Sequence, residues 1–322
     1  MTSLNVRAPL QKFNDPVWTA KGEMRASVPL DRLDTLWINT GTLCNITCRN
    51  CYIESSPEND RLVYMTTDEV VPYLDEAKCL GTREIGFTGG EPFLNPDILD
   101  ILKEALTRGF EVLVLTNAML PMQRPRLKDG LAALQASHGS RLTLRVSLDH
   151  HSEELHETER GIGTWDKALA GVDWLSKAGF RLAVAGRTCW GENEVSARAG
   201  YGQLFADRGW AINAGDAHAL TLFPEMDGTR DVPEITTACW GILNKSPSQM
   251  MCASSRMVVK RKGASAPVVL PCTLLPYDDA FEMGETLAQS AKADGGMFDN
   301  GAVRLCHPHC ARFCVLGGGS CS

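Results

Sequence analysis

The alternation of strand and helix signals over residues 36–215 is the feature that most constrains how this chain can fold. Short apolar runs of the kind found in buried parallel strands recur along it, and helical patterns with capping residues separate them. The predicted strands are Thr35–Asn39, Glu84–Thr88, Glu111–Thr116, Arg141–Leu148, Arg181–Gly186 and Trp210–Asn213. The predicted helices are Thr67–Cys79, Pro96–Arg108, Arg126–Gln135, Trp165–Ala178 and Val195–Arg208.

Strand–helix repetition of this kind predicts a parallel sheet with right-handed crossovers. Six units are two fewer than a closed eight-fold barrel needs, so we expect an α/β fold with an open, partial (β/α)6 TIM-like barrel. Ligands bind at the C-terminal ends of the strands in such sheets. The residues that follow each strand are therefore the candidates for chemistry.

The C-terminal third of the chain has a different texture. From Thr221 the strand–helix rhythm stops, and Met257–Lys262 with Pro267–Leu270 predict a hairpin around Gly263. We expect an N-terminal extension at 1–34, the barrel at 35–220, a linker at 221–250, and a small cysteine-rich domain at 251–322.

Three cysteines, Cys44, Cys48 and Cys51, follow the first predicted strand with the spacing C-x3-C-x2-C. Such a loop can fold its thiolates around one iron–sulfur cluster. A cubane cluster has four irons, so three thiolates leave one iron open to a small chelating molecule. Structural zinc is the alternative, but a closed zinc site needs four protein ligands and no histidine precedes Gly130.

Composition excludes several classes of function. A net charge of −7 and a pI near 5.6 argue against a surface that follows nucleic-acid phosphates. The N-terminus has no apolar export signal, and no apolar run reaches the length of a membrane span. Twelve cysteines in such a chain favour metal or redox chemistry over disulfides. We expect an oxygen-sensitive, cytoplasmic protein with no nucleic-acid or membrane partner.

A second group of cysteines lies in the C-terminal domain. Its members are Cys252, Cys272, Cys306, Cys310, Cys314 and Cys321. Two all-cysteine cubanes would need eight thiolates, so six favour one cluster, and a second would have to recruit Cys189 or Cys239 or leave irons open. Zinc is again the alternative, since His307 and His309 could also serve as ligands.

The three-cysteine run followed by Tyr52 resembles the radical S-adenosylmethionine (radical SAM) superfamily. Gly89-Gly90-Glu91-Pro92 is similar to the GGEP segment of that family, and Asn117 stands where the family has a TN pair. Ser147 and Asp149 end the fourth predicted strand, and the run from His156 to Gly161 is similar to the family's HDxxRG segment.

The resemblance implies a [4Fe-4S] cluster on the three cysteines, S-adenosyl-L-methionine at its open iron, and an electron donor of the flavodoxin or ferredoxin type. It also implies that the motif residues bind S-adenosylmethionine, with the Arg160 guanidinium suited to a carboxylate. The implied cofactor-binding residues are Tyr52, Gly89, Gly90, Glu91, Asn117, Ser147, Asp149 and Arg160.

The C-terminal domain resembles the twitch and SPASM auxiliary-cluster domains, and it is closer to the short twitch arrangement. The resemblance implies one auxiliary [4Fe-4S] cluster that uses Cys252, Cys272 and two of the tail cysteines. Which four of the six cysteines bind it is left open at this point.

We expect an enzyme that abstracts a hydrogen atom and oxidises a small molecule, such as a sugar or aminocyclitol, with the auxiliary cluster as electron acceptor. Only 43 residues precede Cys44, too few for a leader-binding domain, which favours a small molecule over a peptide. The alternatives are a maturase of ribosomal peptides and an epimerase in which Cys239 or Cys189 returns a hydrogen atom. A non-catalytic iron–sulfur or zinc protein has no use for the GGEP segment.

Overall fold

The computed structural model describes residues 11–224 and 231–317 of the chain. The strands are β1 (Ser27–Val28), β2 (Thr35–Asn39), β3 (Glu84–Thr88), β4 (Glu111–Thr116), β5 (Leu142–Ser147), β6 (Arg181–Arg187), β7 (Leu220–Phe223), β8 (Ser255–Val259), β9 (Val268–Leu270), β10 (Phe298–Asp299) and β11 (Ala302–Arg304). The α-helices are α1 (Thr67–Cys79), α2 (Ile98–Thr107), α3 (Leu120–Gln123), α4 (Pro125–His138), α5 (Glu153–Arg160), α6 (Trp165–Lys177), α7 (Glu194–Arg208), α8 (Cys239–Ile242) and α9 (Leu287–Ser290). Over these residues, no helix is both long and apolar enough to cross a bilayer.

Strands β2 to β7 form the partial barrel that the sequence predicts. They are parallel neighbours in chain order within an eight-stranded sheet, with Thr35 opposite Glu84 and Glu84 opposite Glu111. Every residue of β2 is buried, because helices cover one side of the sheet and the barrel interior covers the other. The six C-terminal strand ends therefore meet at one mouth.

The predicted sixth strand, Trp210–Asn213, is wrong. Trp210 and Ile212 are buried as the pattern indicates, but the Trp210 indole N–H donates to Asp173 at 2.9 Å and the backbone turns locally. The sixth parallel strand is β7, which pairs with β6 through Val184 opposite Leu220. The alternation of apolar residues at Trp210–Asn213 therefore marks a packed turn and not a strand, and the strand begins at Leu220.

The predicted hairpin is confirmed, and it occupies a position that the sequence did not indicate. β8 and β9 are antiparallel, with Met257 opposite Leu270. β8 also pairs in parallel with β2, with Thr35 opposite Ser255. The cysteine-rich region thus extends the barrel sheet itself.

The N-terminal segment packs on the C-terminal region. β1 pairs with β11, and the Arg25 guanidinium lies 2.6 Å from the Glu234 carboxylate. Glu234 also accepts hydrogen bonds from the backbone N–H groups of Phe13 and Ala20. One buried carboxylate therefore fixes three points of the segment.

Candidate active site

A cavity of about 190 Å³ opens at the C-terminal ends of the barrel strands. Its wall contains most of the site residues predicted from the sequence. These are Cys44, Cys48, Cys51, Tyr52, Gly89, Gly90, Asn117, Ser147, Asp149 and Arg160. The structure thus brings together segments that are more than a hundred residues apart in the chain.

The loop that carries the three cysteines is held by hydrogen bonds on both sides. The Cys44 N–H donates to Ser56 O at 3.0 Å, and the Asn117 side-chain amide donates to Asn45 at 2.9 Å. The Glu159 carboxylate accepts from the Asn50 N–H at 3.0 Å. Burial raises the pKa of Cys44 to about 12, so a bound metal must displace its proton.

The Gly89-Gly90-Glu91 segment packs against the backbone that precedes the cysteine loop. Gly89 has a φ of +141°, and a Cβ on Gly90 would lie 2.1 Å from Leu43 O, so neither position accepts a side chain. The two glycines therefore let this segment line the cavity with backbone alone.

Glu91 lies behind the cavity wall. Its carboxylate accepts hydrogen bonds from the Thr116 hydroxyl and the Asn117 N–H, each at 2.9 Å, and from the Phe93 N–H at 3.2 Å. Burial raises the pKa of Glu91 to about 7, against the opposing effect of these donors. In this arrangement Glu91 orients the strand end that carries Asn117, and a direct contact with a cofactor stays a prediction.

Asp149 lies between two guanidinium groups at the mouth. Its carboxylate is 2.7 Å from Arg160 Nε and 3.4 Å from Arg187 Nε. Burial acts to raise the pKa of Asp149, but these two cations hold it below its ordinary value. Arg187 was not predicted, although it is the last residue of β6 and so stands at a strand end.

The inward side of the barrel adds residues that the motifs do not mark. Arg145 precedes Ser147 by two residues on β5, so the strand alternation turns both side chains into the cavity. Trp37 on β2 lines the same space and is fully buried. Inward strand positions were the available signal for both residues.

A second, narrow cavity lies in the cysteine-rich region. Cys252, Cys272, Cys310 and Cys314 line it together with apolar side chains and His309. Cys306 is directed elsewhere, since its thiol donates to the carbonyl oxygens of Phe13 and Asp15 at 3.3 and 3.4 Å. Cys321 lies outside the described residues.

A thin wall separates the two cavities. Leu274 lines both of them, and Thr273 and Phe313 line the barrel cavity. Thr273 follows Cys272 in the chain, and Phe313 precedes Cys314. The four-cysteine cavity is therefore adjacent to the barrel cavity.

The two cysteines predicted as hydrogen-atom donors do not line the barrel cavity. Cys239 Sγ accepts a hydrogen bond from the Thr236 N–H at 3.3 Å, and burial raises the pKa of Cys189. Their catalytic role stays a prediction.

A polar cluster, His150, His151 and Glu192, lies just outside the mouth. The Ser152 N–H donates to His150 Nδ1 at 3.0 Å, which leaves the proton of the neutral ring on Nε2, 3.3 Å from the Glu192 carboxylate. These groups are therefore satisfied by one another, and they tie the loop after β5 to the loop after β6.

Comparisons with a family model and with curated proteins both lead to one family. Residues 38–193 match the model of the radical SAM superfamily. Over 145 residues the chain is 31% identical to an AdoMet-dependent heme synthase of Methanosarcina barkeri. The aligned stretch covers 44% of this chain and 38% of that relative. The chain is 30% identical over 143 residues to the subtilosin biosynthesis protein AlbA of Bacillus subtilis, with coverage of 44% and 30%. The chain thus spans well under half the length of these curated relatives.

Solved structures share the fold. Streptococcus suis SuiB bound to S-adenosylmethionine matches with a TM-score of 0.60 at 14% identity, over 83% of this chain and 67% of that one. Native anSMEcpe with bound AdoMet matches with a TM-score of 0.56 at 15% identity, over 81% and 80%. At these identities the likeness is one of fold.

Proposed function

Since residues 38–193 of this chain form a radical SAM domain, we propose that the protein cleaves S-adenosylmethionine reductively and oxidises a small organic substrate. Radical SAM enzymes use a [4Fe-4S] cluster together with S-adenosylmethionine. The substrate would lose a hydrogen atom to the 5′-deoxyadenosyl radical, then a proton, and finally an electron to a second cluster. The proposal therefore requires two metal sites.

Cys44, Cys48 and Cys51 would hold the first cluster. No other thiol or imidazole lines the barrel cavity in the described ranges, so the donor set fits a cluster with one open iron. Gly89, Gly90 and Asn117 then form one side of the space for S-adenosylmethionine. Arg160, whose charge is shared with Asp149, is suited to its carboxylate.

Cys252, Cys272, Cys310 and Cys314 would hold the auxiliary cluster, because these four thiols line one apolar cavity. Tetrahedral zinc with bonds of about 2.3 Å needs sulfurs roughly 3.8 Å apart. Four thiolates can serve either metal, so metal analysis of the purified protein separates a cubane from a single zinc ion.

The main support for an oxidation is that only a thin wall separates the two cavities. Leu274 contacts both spaces, and Thr273 and Phe313 connect the barrel cavity to the chain positions beside Cys272 and Cys314. A substrate radical in the barrel would thus lie next to an electron acceptor. Carbon radicals beside oxygen or nitrogen are strong reductants once deprotonated.

Peptide maturation is the second candidate. It is favoured by the names of two similar proteins, AlbA of subtilosin biosynthesis and SuiB, which was solved bound to its precursor peptide SuiA. The largely apolar lining, which includes Trp37, Leu115 and Phe223, admits a peptide side chain as well as a small molecule. The two candidates share the same site and differ in substrate.

The first test is S-adenosylmethionine cleavage by the anaerobically reconstituted, dithionite-reduced protein. We expect 5′-deoxyadenosine from the parent and none from Cys44→Ala/Cys48→Ala/Cys51→Ala. Cys79→Ala is the matched control, because Cys79 is an exposed cysteine at the end of α1. Product from the triple variant would refute the assignment of these ligands.

The second test identifies the substrate class and the outcome. Small-molecule and peptide fractions of an extract from deuterium-grown cells are incubated with the protein, and deuterated 5′-deoxyadenosine marks the fraction that contains the substrate. Oxidation leaves a carbonyl or imine without solvent hydrogen on the abstracted carbon. In deuterium oxide, a redox-neutral product carrying one solvent deuterium, lost in Cys239→Ala or Cys189→Ala, would instead establish the epimerase alternative.

A further inference from the structure

Arg256 is a fully buried arginine beside the four-cysteine cavity. It lies on β8, four residues after Cys252, and none of its surface is exposed. Its Nη1 atom donates to the carbonyl oxygens of Cys252 at 2.7 Å and Ser255 at 2.8 Å. Its Nη2 atom donates to Gly301 O at 3.4 Å, whereas its Nε atom has no hydrogen-bond partner.

The charge of Arg256 has no carboxylate to balance it. In the described parts of the chain, no Asp or Glu lies within ion-pair distance of its guanidinium. The ionisable groups that act on it are the thiols of Cys252 and Cys272. Two other buried arginines have carboxylate partners, Arg25 with Glu234 and Arg160 with Asp149.

A buried, unpaired cation is strongly unfavourable, and arginine does not lose its proton in proteins. Within the described ranges the counter-charge of Arg256 is therefore missing, and an anion that enters beside Cys252 and Cys272 would supply it. A cubane held by four thiolates carries a net negative charge, and that charge grows by one on reduction.

We propose that Arg256 is the built-in counter-charge of the auxiliary cluster, and that it makes this cluster easier to reduce. The inference rests on the proposed auxiliary cluster and adds a residue that sets its reduction potential. The apolar lining of the cavity disfavours the more negative, reduced state, and the nearby guanidinium offsets that effect. Arg256 acts through the cluster and does not touch the substrate.

The test measures the potential of the auxiliary cluster by electron paramagnetic resonance in the Cys44→Ala/Cys48→Ala/Cys51→Ala background, where it is the only cluster. Arg256→Met should lower the equilibrium constant for its reduction at least tenfold, which is a shift of about 59 mV to more negative potential for one electron. Arg256→Lys keeps the charge and should retain most of the potential. Arg261→Met is the control, since it removes a paired arginine just beyond β8.

A second measurement separates charge balance from a purely structural role. Loading the cluster should raise the urea midpoint of the parent more than that of Arg256→Met, because only the parent gains a charge pair. Arg256→Gln, which keeps an N–H donor for the carbonyl oxygens, is the neutral variant if the methionine variant does not fold.

The outcomes are distinct. The role of Arg256 would be overturned if cluster loading raised the urea midpoint equally in the parent and in Arg256→Met. It would also be overturned if the reduction potential of the auxiliary cluster were unchanged in Arg256→Met or Arg256→Gln. Either result would leave the auxiliary cluster in place. Absence of iron from the triple-cysteine background would overturn the auxiliary cluster and the role of Arg256 together.

Discussion

Asp149 and the two arginines beside it determine how the mouth of the barrel can bind an anion. Asp149 contacts one edge of the Arg160 guanidinium, with Nε at 2.7 Å and Nη2 at 3.2 Å, and Arg187 Nη2 donates to Asn50 O at 3.0 Å. Arg160 also lines the cavity with Cys48, so an anion there would lie beside the cysteine loop. The geometry makes the fork of the guanidinium, and not only its charge, the property to test.

Arg160→Lys should weaken S-adenosylmethionine binding about tenfold or more, because a hydrogen bond to a charged group contributes about 1.5–3 kcal/mol and a single ammonium cannot replace a planar fork that holds Asp149 along one edge. Equilibrium binding to the reconstituted protein measures the change, and the cluster absorption spectrum should stay the same. Arg181→Lys, at the start of β6 and away from the mouth, is the control, because the Arg181 side chain is 63% exposed. Unchanged affinity would assign Arg160 to the structure of the mouth alone.

The sequence best predicts which residues lie at the barrel mouth where a motif follows a strand. Cys44, Gly89, Asn117 and Ser147 all line the predicted cavity. Arg145 and Trp37 were missed because strand alternation gives two candidate faces, and only the closed barrel shows which of the two faces inward. Glu91 lies one layer behind the cavity wall, where it accepts hydrogen bonds from Thr116 and Asn117. The sequence does not predict this position, because the two contacts join residues that are far apart in the chain.

At the scale of elements, the N-terminal segment shows how much a single carboxylate can organise. Glu234 holds Phe13, Ala20 and Arg25, and through them the strand β1. Burial acts to raise the pKa of Glu234, but the two N–H donors and Arg25 hold it below the ordinary value. The sequence did not indicate this link, because it joins positions over two hundred residues apart.

Acid should release the N-terminal segment. The folded-state pKa of Glu234 is lower than its unfolded value of about 4.3, so its stabilising effect is present above that pH. It is lost as the pH falls through the folded-state pKa. The protection factors of residues 11–34, which are exchange rates corrected for the intrinsic rate at each pH, should therefore fall in acid. Glu234→Gln should show low protection of these residues already at neutral pH.

Glu23→Gln is the matched control for this prediction, because Glu23 is an exposed acid of the same segment. Equal exchange rates in the Glu234 variant and the parent at neutral pH would contradict the role of Glu234.

The location of β7 shows what sequence patterns cannot predict at the scale of elements. Trp210 and Ile212 satisfy a strand pattern by being buried, yet only backbone pairing distinguishes a strand from a packed turn.

At the scale of the whole molecule, two cavities with separate cysteine sets lie on either side of one wall. The order of the strands was predictable from the sequence, because each unit repeats the same pattern. The partition of the C-terminal cysteines was not, because the tail Cys306–Cys321 has several possible ligand sets with similar spacing. Folding separates Cys306 from Cys310 by turning them toward different neighbours.

Metal content tests this partition. Protein purified without oxygen should hold about eight irons per chain and no stoichiometric zinc. Cys310→Ser should lose about four irons, whereas Cys306→Ser should lose none, since the Cys306 thiol only donates to backbone carbonyl groups. Stoichiometric zinc with about four irons, or equal losses in the two variants, would contradict the four-cysteine site.

The pairing of β8 with β2 also limits how the C-terminal region of this chain can be separated from the barrel. β2 leads directly into the cysteine loop, and both of its edges are hydrogen-bonded, to β3 and to β8. A recombination event or truncation that removed residues 251–322 would expose one edge of β2, and an open strand edge invites aggregation. The C-terminal region therefore cannot be removed or exchanged as an independent unit unless its replacement also pairs with β2.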